Sequence, residues 1–155
     1  MRHWLQSLKR VIWCSGTTTV YLVRFTLAAA IGRAIYLHKF VESDIEIFHD
    51  HPWNFVSVIV RGGYIEHRPG RTPETRLAGS IACRSATDLH YVTLLRSPTW
   101  TLVIRGVRTR LWGFQTANGW VPWHKYVREK YAVDSTVMPD PQPATRNPQP
   151  GALHA

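Results

Sequence analysis

The segment His49-Asp50-His51-Pro52-Trp53 holds the residue types and spacing best suited to chemistry in this chain. On a β-strand, side chains alternate with a period of two, so histidines at i and i+2 project from one face. Two imidazoles on one face suit a divalent metal, because borderline ions take neutral nitrogen ligands. The same H-x-H pair also occurs in ordinary packing, and alone it decides nothing. Eight histidines in 155 residues, against two cysteines, make histidine the residue type to follow. Cys14 and Cys83 belong to no C-x-x-C pair, which excludes a cysteine-based zinc ribbon and a disulfide scaffold.

The elements that must position these histidines read as short strands. Ile45–His49 is one, ended at His51-Pro52 because proline cannot donate to a ladder. Others are Thr17–Leu27, Ile35–Phe40, Phe55–Val60, Tyr64–Arg68, Gly79–Arg84, Leu89–Leu95, Trp100–Ile104 and Thr109–Gln115. Gly62-Gly63 predicts a two-residue hairpin between the strands on either side. Many short strands with few helices argue an all-β sandwich or small barrel. Trp4, Leu5, Leu8, Val11 and Ile12 stand at helical spacing and predict a short N-terminal helical segment. Prolines 139, 141, 143, 148 and 150 predict a disordered tail. The chain is thus expected to divide into one domain, residues 1–133, and a Pro-rich tail, residues 134–155.

Nineteen Lys and Arg against ten Asp and Glu give a formal charge of +9. A basic balance invites nucleic acid or anionic membrane. Here the charges are scattered, with no run of five or six and no nucleic-acid motif. From Asp134 onward there are two acids and one base, so the excess belongs to the folded part. That weakens a nucleic-acid-binding tail. No apolar run approaches the roughly 20 residues of a membrane span, since Arg24 interrupts the stretch after Val11–Val23. A cytoplasmic protein is expected.

With these residues in view, the sequence resembles the cupin superfamily. Its first motif is H-x-H, three or four residues, an acid, six residues and a glycine; His49, His51 and Gly62 or Gly63 fit it. Its second motif places a histidine eleven residues after a glycine, as His90 follows Gly79; Ser85, Thr87 and Leu94 replace its Pro, Gly and Asn. More narrowly, Tyr36-Leu37-His38-Lys39-Phe40, Ser43-Asp44, Arg61-Gly62-Gly63-Tyr64, Trp112-Gly113-Phe114 and Gly119-Trp120-Val121-Pro122-Trp123 resemble a group of small single-domain bacterial and phage cupins. The likeness covers roughly residues 20–127. It implies a double-stranded β-helix (jelly-roll) barrel, a divalent metal on His49, His51 and His90, and a homodimer. One departure matters. The motif's acid would fall at Phe55 or Val56, both apolar. What remains is a three-histidine site like that of thiol-dioxygenase cupins, which favours Fe(II), with Zn, Mn or Ni as other occupants. Without a carboxylate the ion's charge is less compensated, which favours an anionic substrate.

Further candidates surround this set. Counting by twos across a tight Gly62-Gly63 hairpin puts Glu66 on the face of His49 and His51, as a catalytic base or a partner of the metal ligands; the competing reading is a surface carboxylate. Tyr64 and Tyr91 are the nearby tyrosines, Tyr64 being the other catalytic candidate. His38 shares a face with Tyr36 and Phe40, as a fourth ligand, a pocket hydrogen-bonder or a structural histidine. Asp44 and Asp50 read as turn formers or as partners of a histidine's second nitrogen. Trp53, Trp100 and Trp112 line the barrel mouth or pack in the core. Trp120 and Trp123 cover a barrel edge or a subunit contact, and His3, His67, His124 and His154 lie on the surface.

Three functions follow from these residues: a metal-dependent, dioxygenase-type enzyme acting on a small anionic molecule, a non-catalytic module binding a sugar or nucleotide, and a structural or nucleic-acid-associated basic protein. A closed structural zinc site prefers four ligands, and only three are identifiable, so the first two are favoured over the third.

Overall fold

The computed structural model describes residues 9–14 and 18–131. In β3 (Arg33–Phe40), Ala34, Tyr36 and His38 are buried while Ile35, Leu37 and Lys39 are partly exposed. The same period recurs in β9 (Thr99–Arg105), which buries Thr99, Thr101 and Val103 and turns Trp100, Leu102 and Ile104 outward. Together with β1 (Lys9–Trp13), β2 (Val20–Ala30), β4 (Phe55–Arg61) and β7 (Ile81–Arg84) they form an antiparallel six-stranded sheet in the order β1-β2-β3-β9-β4-β7. A three-stranded sheet, β6-β5-β8, is made by β5 (Gly63–His67), β6 (Glu74–Leu77) and β8 (Tyr91–Leu94). β-Branched and aromatic residues supply most of these strands, as a pleated, half-buried surface favours. Ile59 of the large sheet packs against Tyr64 and Val92 of the small one, so the interior lies between the two.

The turn expected at Gly62-Gly63 is a crossing between sheets. β4 pairs with β7 and β9, and β5 pairs with β6 and β8, so the two strands flanking the glycines never pair with each other. Gly62 adopts φ +88°, and a Cβ there would stand 2.5 Å from Thr99 Oγ1. A left-handed backbone this close to a neighbour needs glycine. Thr99 secures the corner, accepting from Gly63 N–H at 3.1 Å.

Other expectations shift too. Residues 9–13 are a strand paired with β2, so Val11 and Ile12 are not helical; Trp4, Leu5 and Leu8 lie outside the described residues, as does the expected tail, residues 134–155. Ile45–His49 forms no strand, and only His49 bridges, to His90 and Phe114. β6 and β11 (Gly119–Pro122) were not expected, nor was α1 (Trp123–Tyr131). β10 (Gly113–Thr116) pairs with β11 as a hairpin, and α1 lays Tyr126 and Val127 against Phe114.

Candidate metal centre

His49 and His90 are locked by their backbones. Each donates its N–H to the other's carbonyl at 3.0 Å, as a reciprocal antiparallel pair does. His51 N–H donates to Ala86 O at 3.1 Å, which fixes the second member of H-x-H. The period of two then acts as the sequence suggested. His49 and His51 turn to one side, with ring centroids 5.3 Å apart, and Asp50 turns to the other. The ring nitrogens of His49, His51 and His90 offer one ligand atom each, all within 4.8 Å of one another. His51 Nε2 and His90 Nε2 stand 2.8 Å apart.

Glu66 is not at the surface; it is 2% exposed. Its Oε1 lies 2.9 Å from His90 Nδ1, so the imidazole proton sits on Nδ1 and the Nε2 lone pair faces the cluster. Arg76 donates through Nε to Oε2 at 2.6 Å, and Arg84 donates to both carboxylate oxygens. Burial opposes ionisation of Glu66, yet hydrogen bonds from His90 and Arg84 hold its carboxyl far below the usual carboxylate range. A carboxylate engaged by three donors is a positioning group and a poor general base.

Burial, then the neighbouring histidines, pushes the His51 pKa well down, and burial also lowers that of His49. Neutral imidazoles with free lone pairs are the form a divalent ion takes up. The walls are aromatic: Phe55 lies 4.7 Å from the His51 ring, and Phe114 and Trp112 lie 6.0 and 6.2 Å from that of His49. Phe55 also borders an open groove of about 470 Å3 on the outer side of the large sheet, lined by Arg33, Val56, Cys83, Ile104 and Arg105. Three imidazole nitrogens with no carboxylate among them fit a divalent transition metal and leave part of its shell to other ligands.

The remaining candidates fall elsewhere. His38 is 7% exposed and no member of the cluster; its Nε2 accepts from Arg24 Nε at 3.1 Å, which occupies the lone pair a fourth ligand would need. Tyr64 packs with Ile59 and Val92 in the apolar interior, where burial and then Glu66 raise its pKa. Neither aspartate holds a histidine nitrogen. Asp44 accepts from Val92 N–H and Tyr21 O–H, and Asp50 from Gly113 N–H, Trp120 Nε1–H and Arg110. Trp53 is buried beneath Arg105, whose guanidinium carbon lies 4.8 Å from its ring centroid. Trp112 stacks on Trp123, whereas Trp100 faces out of the barrel and stacks on Phe25. Arg24, Arg76, Arg84 and Arg105 were missed as site residues; the one signal was Arg24 itself, a lone charge in a β-forming run.

No family model and no curated protein sequence matches the chain. Solved structures do. The DMSP lyase DddQ from Ruegeria pomeroyi superposes with a TM-score of 0.53 at 16% identity, over 68% of this chain and 58% of that one. A protein with a double-stranded β-helix domain from Klebsiella pneumoniae gives 0.52 at 12% identity, over 71% and 92%. The Fe(II) form of HppE gives 0.51 at 10% identity, over 64% and 57%. At such identities the likeness speaks for the fold. With two facing antiparallel sheets and histidines from the loop before β4 and the bridge before β8, the chain has the double-stranded β-helix fold of the cupin superfamily.

Proposed function

We propose that the protein is a metal-dependent enzyme of dioxygenase type, with Fe(II) on His49, His51 and His90 and a small anionic substrate. The observation that carries this reading is the convergence of three ring nitrogens with no acidic ligand among them. When bound there, Fe(II) supplies a redox-active Lewis acid with positions left for other ligands. Zn, Mn and Ni are other occupants of the same donors. Glu66 holds His90 in the tautomer that presents Nε2, and Phe55, Trp112 and Phe114 give the cluster aromatic walls. The fold neighbours include a lyase and an Fe(II)-containing protein, so fold alone selects neither chemistry.

Metal analysis tests this reading. Protein purified without chelator is expected to hold about one ion per chain, and His49→Ala/His51→Ala to lose it. A double variant with the parent's metal content would overturn the assignment. Anaerobic loading with Fe(II) and exposure to nitric oxide should give the high-spin signal of an iron–nitrosyl adduct. Its absence from iron-loaded protein would favour a non-catalytic binding module.

A further inference from the structure

The inner face of the large sheet is more polar than its outer face. Arg24, His38, Thr101 and Ile59 form one cross-strand row over β2, β3, β9 and β4 on the inner side, with Ser57 on the next row. Trp100, Leu102 and Val58 face out. A sheet that turns arginine, histidine and threonine inward has something polar to hold there.

Two arginines on this inner face, Arg24 and Arg105, have no carboxylate partner among the described residues. Arg24 gives its Nε to His38 and lays its guanidinium carbon 4.6 Å from the Tyr36 ring centroid. No acceptor among the described residues takes its Nη1 or Nη2. Arg105 donates Nε to the Tyr36 hydroxyl at 3.0 Å and Nη1 to the carbonyls of Gly32 and Gly106, with its guanidinium carbon 5.6 Å from the same ring. Its Nη2 has no described partner either. Elsewhere the chain does supply acids to its arginines: Glu66 serves Arg76 and Arg84, and Asp50 serves Arg110. Burial lowers the Arg24 pKa, and the charges of Arg10 and then Arg105 add to that. Both arginines are half-buried, and a guanidinium partly withdrawn from water gains when a ligand supplies a counter-ion.

A third group shares the interior. Thr101 is 2% exposed, and its Oγ1 is the buried side-chain atom without a hydrogen-bond partner among the described residues. It sits opposite His38 in register, in the row of Arg24. Buried hydroxyls are nearly always satisfied.

We propose that Arg24 and Arg105, flanking Tyr36, form an oxyanion subsite that binds a carboxylate or phosphoryl group of the substrate, with Thr101 as a further hydrogen-bonding contact. This deepens the reading of the histidine cluster as the reacting centre and rests on it for the word substrate. The planar guanidinium fork matches both anions. Arg24 holds His38, and Arg105 stands in register opposite Phe55, whose ring centroid lies 4.7 Å from that of His51. A small acid held at Tyr36 would therefore extend its other end towards the ring nitrogens.

The test is calorimetric titration of the full chain, as purified and after chelation, with inorganic phosphate and separately with succinate. At least one probe is expected to bind with and without metal, and the preferred probe tells a phosphoryl from a carboxylate source. Arg24→Gln and Arg105→Lys should each weaken that binding about tenfold or more, as loss of a charged hydrogen bond does, at unchanged metal content. Arg24→Lys, which keeps the charge without the fork, should lose less than Arg24→Gln, and this ranking guards against a folding defect. Arginine variants with the parent's affinity, or a parent that binds neither probe at millimolar concentration, would overturn the proposal. So would binding that vanishes on chelation and ignores the arginines, because the anion would then sit on the metal and leave the metal reading intact. Arginine-dependent binding by protein that holds no metal as purified would instead remove the metal reading and leave the subsite.

Discussion

Glu66 and His90 are joined through Oε1 and Nδ1 at 2.9 Å, from neighbouring strands of the small sheet and its flanking bridge. The carboxylate lies behind the ring, on the side away from the other two histidines. Arg76 and Arg84 neutralise it there, so its charge orients the imidazole without adding a ligand. The cluster keeps three ring nitrogens and no acidic ligand as a result. A carboxylate missing from the expected motif position is present one layer out.

Glu66→Gln tests that division of labour. The amide still fills the space but no longer fixes the His90 tautomer, and Arg76 and Arg84 lose their counter-charge. Loss of such a partner lowers metal affinity about 10–100-fold. Competition with a chromophoric chelator would measure it. Parent affinity in the variant would show that Glu66 serves only the arginines.

Acid should weaken the metal-free fold through histidines that are buried neutral. Burial, and then Arg24, pushes the His38 pKa well below its ordinary value near 6.5. Above pH 6.5 neither folded nor unfolded chain binds this proton, and stability is unaffected. Below it the unfolded chain binds the proton first, so stability falls until the folded pKa is reached. A histidine of this kind contributes a slope of about 1.4 kcal/mol per pH unit in that window. His38→Gln keeps an acceptor for Arg24 without a titrating ring. Its unfolding free energy in urea should fall less steeply than the parent's between pH 6.5 and 5.5. Equal slopes would mean that His38 is protonated in the folded chain.

The parity of two read His49 and His51 correctly because it needs only three residues of local chain. It failed across Gly62-Gly63, where the argument for Glu66 assumed a hairpin. A pair of glycines marks a backbone freed from Cβ, and whether it closes a hairpin or passes between sheets depends on Thr99, far along the sequence. The facing of β4 was equally hidden. In Phe55-Val56-Ser57-Val58-Ile59 both faces are mostly apolar, so no alternation tells which one points inward; the inner one carries Ser57. Arg24 was visible as an interruption of an uncharged run, but its inward facing and its contact with His38 follow from pairing of β2 with β3. The role of Asp50 required β11, which sequence signals did not separate from the segment before it.

Asp50 carries the last prediction. It is 1% exposed, and Oδ1 takes the Gly113 N–H at 2.7 Å while Oδ2 takes Trp120 Nε1–H at 2.9 Å and faces Arg110 at 2.6 Å. One carboxylate thus pins both strands of the β10–β11 hairpin behind the H-x-H segment and sets Trp112 and Phe114 against His49. Asp50→Ala would orphan a buried amide N–H and an indole N–H at once. The expected loss is about 2–4 kcal/mol, with Arg110 contributing little because it is partly solvated. Gly113→Ala attacks the same joint from the other side: a methyl there would run into Val121 O and stand 2.9 Å from the Trp120 ring. Urea unfolding should show both variants destabilised. The double variant should fall short of the sum of the two losses, because neighbours sharing one joint do not add. Full additivity would mean that Asp50 and Gly113 act on separate parts of the fold, and the hairpin would then owe its position to α1 packing on Phe114 instead.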